Sequence, residues 1–140
     1  MQRRASAQWR GGLKDGKGTV STASGAVKGV AYNFAMRFGD EPGTNPEELV
    51  AAAHAACFSM ALSNELGQAG YRPEVIETKA TLDFDKTDKG WSVKSIHLDV
   101  SAKAPGADPG KFQAAAEGAK KNCPISRLLN TQITMSAKLA

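Results

Sequence analysis

The first third of the chain alternates apolar with polar or small residues, the two-residue period of half-buried strands. "ASAQWRG" has the length of a short strand, "KDGKG" supplies a turn and "GTVST" its return. "SGAVKG" then leads into "VAYNFAMRF", where Val30, Tyr32, Phe34, Met36 and Phe38 fall on one face, as a strand presents its core side. Arg37 falls on the other face, with Asn33 and Ala35.

The pattern changes after the loop "GDEPGTNP". Asn45 suits an N-cap, Pro46 the first helical position, and Glu48 stands three residues after the cap, where a capping box needs it. "LVAAAHAACFSMALSNEL" continues for about five turns until the glycines of "GQAGY". Its many alanines and lack of a polar stripe between Leu49 and Leu62 predict a central helix buried on several sides. "EVIETKATLDFD" and "WSVKSIHLDVSA" return to period two and are joined by "KTDKG", which predicts an antiparallel hairpin. A second helix is expected over Lys111–Asn122, and "CPISRLL" opens a further turn with Cys123 in the cap region and Pro124 first in the helix. "TQITMSAKL" closes as a strand with Ile133, Met135, Ala137 and Leu139 on one face. With no repeat or linker, the expectation is one α+β domain over residues 1–140.

Composition narrows the class. At 140 residues and 41% apolar content the chain suits one packed domain rather than a disordered segment. No early apolar run follows "MQRRASAQW", and the stretch from Leu49 to Leu62, interrupted by His54 and Ser59, is too short for a bilayer. The expectation is a soluble, cytoplasmic protein with no membrane contact. The formal charge of +4 comes from lysines and arginines spread along the chain, without the basic arm or aromatic series of a nucleic-acid footprint.

Two local signals fail their context. Gly11, Gly16 and Lys17 imitate a phosphate-binding loop, but Gly18 replaces its serine or threonine and the segment lies in a hairpin turn. His54 and Cys57 share a helix face three residues apart, a spacing that suits a metal. Only Cys123 and His97 remain as further ligands of those types, and His97 shares a strand face with Val93 and Ser95, so no metal and no organic cofactor is expected.

The two cysteines carry the remaining chemistry. Two are too few for a secreted disulfide framework but enough for a redox pair. Cys57 lies three turns inside its helix, beyond the reach of the helix N-terminus, and its thiolate needs a nearby cation; Arg37 is the candidate. The alternative is a small apolar residue filling a core. Cys123, at a helix start, can meet unpaired backbone N–H groups that lower a thiol pKa.

The segments "NPEELVAAAHAACFSMALS" around Cys57 and "NCPISRLL" around Cys123, with Arg37 ahead of both, resemble the OsmC/Ohr family of thiol peroxidases, most closely its OsmC branch. The resemblance extends over essentially the whole chain and departs at none of the functional positions. It implies an elongated, curved antiparallel sheet packed around a long central helix in an intertwined homodimer, with two sites at the subunit interface. It also implies that Cys57 is the peroxidatic nucleophile, Cys123 the resolving thiol, and Arg37 and Glu47 the residues that hold and tune the site. The substrate would be an organic hydroperoxide, with hydrogen peroxide reduced less efficiently, and the reductant a dithiol, a lipoyl-bearing protein in the best understood branch.

The residue types fit that chemistry. A thiolate attacks the outer oxygen of an O–O bond, and Arg37 offers both a permanent cation and a donor fork for the peroxide oxygens. Phe38, Phe58, Met60 and Leu128 are candidate apolar lining. Glu47 imposes a constraint: ten residues of helical rise, about 15 Å, separate it from Cys57. If Glu47 orients Arg37 at the Cys57 sulfur, a second subunit must supply part of the cluster. Two rival readings are a small basic nucleic-acid- or protein-binding module with structural cysteines, and a metal enzyme built on His54 and Cys57.

Overall fold

A computed structural model describes all 140 residues. They form two compact units, Met1–Leu49 and Val50–Ala140. In the first, β1 (Ala5–Arg10), β2 (Lys17–Thr22) and β3 (Val30–Asn33) make an antiparallel sheet in the order β1-β2-β3. Gly18 lies opposite Trp9 on one side and Tyr32 on the other. A Cβ there would come within 2.7 Å of Trp9 and 2.6 Å of Tyr32, so the glycine lets the two rings approach to 5.5 Å. The residue that breaks the phosphate-loop pattern thus has a packing explanation.

The expected strand over Val30–Phe38 stops halfway. After Asn33 the chain turns into a short helix, α1 (Phe34–Phe38), because the Asn33 side chain accepts the Met36 N–H at 2.8 Å as an N-cap. Phe34 and Phe38 share a face at spacing four as well as at spacing two, and their rings lie 4.8 Å apart across one helical turn. Arg37 therefore sits on a helix, not a strand.

Helix α2 (Pro46–Gln68) starts where the cap signals place it: Asn45 Oδ1 accepts the Glu48 N–H at 2.8 Å. The Glu48 carboxylate accepts from the Thr44 hydroxyl at 3.0 Å instead of reaching back to the cap amide, so the box is half made. With 23 residues the helix is, by length and composition, long and apolar enough to cross a bilayer, contrary to the sequence expectation. One face of it packs into the core. His54, Phe58, Leu62 and Leu66 form one fully buried stripe. Burial on several sides is not seen: Ala52, Ala53, Ala56 and Met60 lie exposed on the far side, Met60 at 77%.

In the second unit β4 (Val75–Thr87) and β5 (Gly90–Lys103) form the expected antiparallel hairpin, and β6 (Gln132–Leu139) adds to β5 in parallel, in the order β4-β5-β6. The sheet is mixed rather than wholly antiparallel. A parallel neighbour needs a long crossover, and α3 (Pro109–Asn122) with α4 (Pro124–Leu128) supplies it. Asp108 caps α3 by accepting the Lys111 N–H at 2.9 Å, so the helix begins at Pro109, two residues ahead of the expected start. Phe58, Leu62 and Leu66 of α2 join Ile96, Leu98 and Val100 of β5, and Phe112, Ala116 and Ala119 of α3, in one core. The β6 face of Ile133, Met135, Ala137 and Leu139 packs on it as expected.

Candidate active site

Cys57 lies on the flank of the buried α2 stripe, half-buried, while Cys123 caps α4 and is fully buried. Both are free thiols, and their sulfurs lie 2.8 Å apart although 66 positions separate them in sequence. At that distance the pair shares a hydrogen bond, and loss of two electrons would join it as a disulfide without long travel. Burial pushes the Cys57 thiol above its ordinary value, the adjoining Cys123 thiol pushes the same way, and the Ile125 backbone N–H aimed at the sulfur opposes them; the net direction is upward.

That amide corrects one expectation. Its place at the helix start lets Cys123 meet the cap amides of α4, but the Cys123 side chain makes no capping bond. Pro124 has no N–H to give, and the next amide, that of Ile125, serves Cys57.

One turn before Cys57, the His54 ring is fully buried and its Nε2 meets the Ser126 hydroxyl at 2.7 Å. Its Nδ1 is buried without a hydrogen-bond partner. Burial lowers the pKa of the ring, which favours the neutral form. One ring nitrogen of His54 is thus engaged by a hydroxyl, and no group of three or more His, Cys, Asp and Glu side chains is gathered to hold a metal. Sequence reasoning did not foresee the His54–Ser126 bond. The available signal was a lone polar residue on the apolar stripe with Phe58 and Leu62, since such a residue needs a partner. His97 meets Thr134 Oγ1 through Nδ1 at 2.7 Å and is partly exposed on the sheet.

Arg37 and Glu47 form a second pair, in the N-terminal unit. Arg37 Nη2 donates to Glu47 Oε1 at 2.6 Å, and Nε reaches both carboxylate oxygens at 3.1 Å. This charge-assisted fork fixes the guanidinium plane. Its carbon lies 5.0 Å from the centre of the Phe38 ring, and with Trp9, Tyr32 and Phe34 the two residues border an open pocket of about 250 Å³. Of the other candidate lining residues, Phe58 belongs wholly to the core, while Met60 and Leu128 are exposed.

A mixed sheet crossed by helices that bring two free thiols into contact defines a dithiol protein of α+β architecture. The chain belongs to the OsmC-like family: residues 39–138 match the sequence profile of "OsmC-like protein". It is 46% identical over 139 residues to Peroxiredoxin OsmC of Escherichia coli (strain K12), covering 99% of this chain and 97% of that one. Organic hydroperoxide resistance protein OhrB of Bacillus subtilis (strain 168) is 31% identical over 100 residues, 71% of each chain. Among solved structures, an organic hydroperoxide resistance protein OsmC from Legionella pneumophila superposes with a TM-score of 0.71 at 25% identity over 96% of each chain. An OsmC-like protein of unknown function from Vibrio cholerae superposes with 0.78 at 16% identity over 99% of each, a likeness of fold.

Proposed function

We propose that this chain works as a single thiol-dependent peroxidase domain that reduces organic hydroperoxides to alcohols, as the names of its relatives suggest. The observation that carries the reading is the 2.8 Å contact between two free cysteine sulfurs. In the first step the Cys57 thiolate attacks the outer peroxide oxygen, the O–O bond breaks, and the alkoxide leaves and takes a proton to become the alcohol. Cys57 is left as a sulfenic acid. Cys123 then attacks the Cys57 sulfur: the S–O bond breaks, the S–S bond forms, and hydroxide leaves with the Cys123 proton as water. A dithiol reductant restores both thiols and is itself oxidised to a disulfide. A lipoyl-bearing protein fits that role, and no metal or organic cofactor enters these steps.

Arg37 lowers the barrier to the first step by stabilising the thiolate and the departing oxygen, with Glu47 holding its fork in place. The aromatic walls beside Arg37 suit the apolar group of an organic hydroperoxide, and with hydrogen peroxide they have nothing to bury. The protein acts as a homodimer in the cytoplasm. Three features support the dimer: ten residues of helical rise, about 15 Å, between Glu47 and Cys57, the exposed Ala52, Ala53, Ala56 and Met60 on the far side of α2, and the exposed Leu128. In an intertwined pair the Arg37–Glu47 fork of one subunit serves the sulfur of the other. The relatives lend the nucleic-acid- or protein-binding module no support.

Peroxide consumption with several dithiols tests the reading. Wild type consumes cumene hydroperoxide faster than hydrogen peroxide, and Cys57→Ser consumes neither, since the serine hydroxyl stays protonated. A folded Cys57→Ser variant with most of the activity overturns the assignment.

A further inference from the structure

The sulfur contact, to which the Ile125 amide adds at the Cys57 sulfur, is one of two side-chain ties between α2 and the α4 segment. Cys57 meets Cys123, and the second tie joins the residue three before Cys57, His54, to the residue three after Cys123, Ser126. The two contacts run in opposite chain directions and stand one helical turn apart, so together they fix both the separation of the helices and their register. Either tie alone leaves a pivot.

His54 is also an odd choice for its place. Phe58, Leu62 and Leu66 continue its stripe, and a leucine there would pack without any polar atom to satisfy. The imidazole leaves Nδ1 buried and unpartnered, a penalty accepted for the sake of the bond at Nε2. Ser126 is buried as well, so water does not compete well for that bond.

We infer that His54 is a positioning residue for disulfide closure: through Ser126 it holds α4 so that the Cys123 sulfur stays in line with the Cys57 sulfur after Cys57 has been oxidised. The inference rests on the peroxidase reading for its place in the cycle. When the sulfenic oxygen arrives at Cys57, the thiol–thiol hydrogen bond is lost, and the His54–Ser126 bond is the side-chain tie that remains. The Ile125 amide, one residue before Ser126, is held at the Cys57 sulfur by the same tie. Closure in a chain without this tie has to wait for α4 to return to register, and a waiting sulfenic acid is exposed to a second peroxide.

The test uses Ser126→Ala, His54→Leu and His54→Gln, whose amide can reach the Ser126 oxygen. One readout is the equilibrium between the Cys57–Cys123 dithiol and disulfide in dithiothreitol buffers. The other is closure after one equivalent of peroxide, followed by rapid quench and mass spectrometry. Loss of one buried hydrogen bond shifts the equilibrium about tenfold toward the dithiol in Ser126→Ala and His54→Leu, a potential higher by about 30 mV. Closure slows by a similar factor, sulfinic acid at Cys57 increases, and His54→Gln recovers most of both. A folded Ser126→Ala protein with wild-type equilibrium and closure overturns the inference, and so does a His54→Gln protein as impaired as His54→Leu, which would assign the effect to packing. If His54→Leu does not fold, Ser126→Ala decides alone, since it removes one oxygen. The dithiothreitol equilibrium needs no peroxide, so a wild type inert to peroxides would sink the peroxidase reading while the tie is still measured.

Discussion

Reduced protein should carry one thiolate per chain, not two, across the alkaline range. The perturbation is a pH titration of wild type, followed by thiolate absorbance near 240 nm under a phosphine reductant, beside Cys57→Ser and Cys123→Ser. Two negative sulfurs held 2.8 Å apart at an effective dielectric of about 20 repel by roughly 6 kcal/mol. That energy disfavours the second ionisation by about four powers of ten. The pair therefore loses its protons in two widely separated steps that belong to both residues. In its first step the wild type gains the absorbance of one thiolate per chain, although it has two thiols. A wild-type amplitude near the sum of the two variants, developed over the same pH range, would refute the contact on which the site is built.

Three further outcomes follow from other parts of the structure. His54 should make stability fall in acid: its folded pKa is depressed by burial, so its contribution is present above the unfolded value near 6.5 and lost as pH falls from there toward the folded value, at up to about 1.4 kcal/mol per pH unit. Urea midpoints between pH 7 and 5 measure it, and His54→Gln should flatten that slope. Leu62→Ala, in the fully buried stripe, should cost about 2 to 5 kcal/mol in chemical denaturation. Heterodimers of Cys57→Ser with Glu47→Ala should recover part of the peroxide reduction that each variant lacks alone; verified heterodimers without recovery would remove the shared site.

How much was legible varies with how local the cause is. Asn45 and Pro46 announced the start of α2 because cap chemistry lies in adjacent residues, and β4 with β5 announced their hairpin through period two and a short turn. The run from Val30 to Phe38 misled because spacing four is shared by both periods; Asn33, an interior cap, decided it. The parallel pairing of β6 with β5 was invisible, since strand direction depends on a crossover and not on the strand's own residues. At the site, family resemblance joined Cys57 to Cys123, while the His54–Ser126 bond spans 72 positions and left only the sign of one histidine out of place. Glu47 was expected to orient Arg37, and the two do form a fork, a pairing that helix rise alone could not forecast.

The place of β6 bears on how the protein is born. Synthesis delivers β4 and β5 well before β6, yet β5 is the middle strand and has only one neighbour until Gln132–Leu139 has been made. During that interval the nascent hairpin shows an open edge and the apolar face of Ile96 and Leu98, both of which invite pairing with other chains. The α3–α4 crossover that carries Cys123 is anchored at its far end by β6, in part through Gln113 donating to the Ala137 carbonyl. A ribosome stalled before Gln132 would thus display the Cys57 helix without a secured Cys123, and oxidant present during translation would find that first thiol at its least protected.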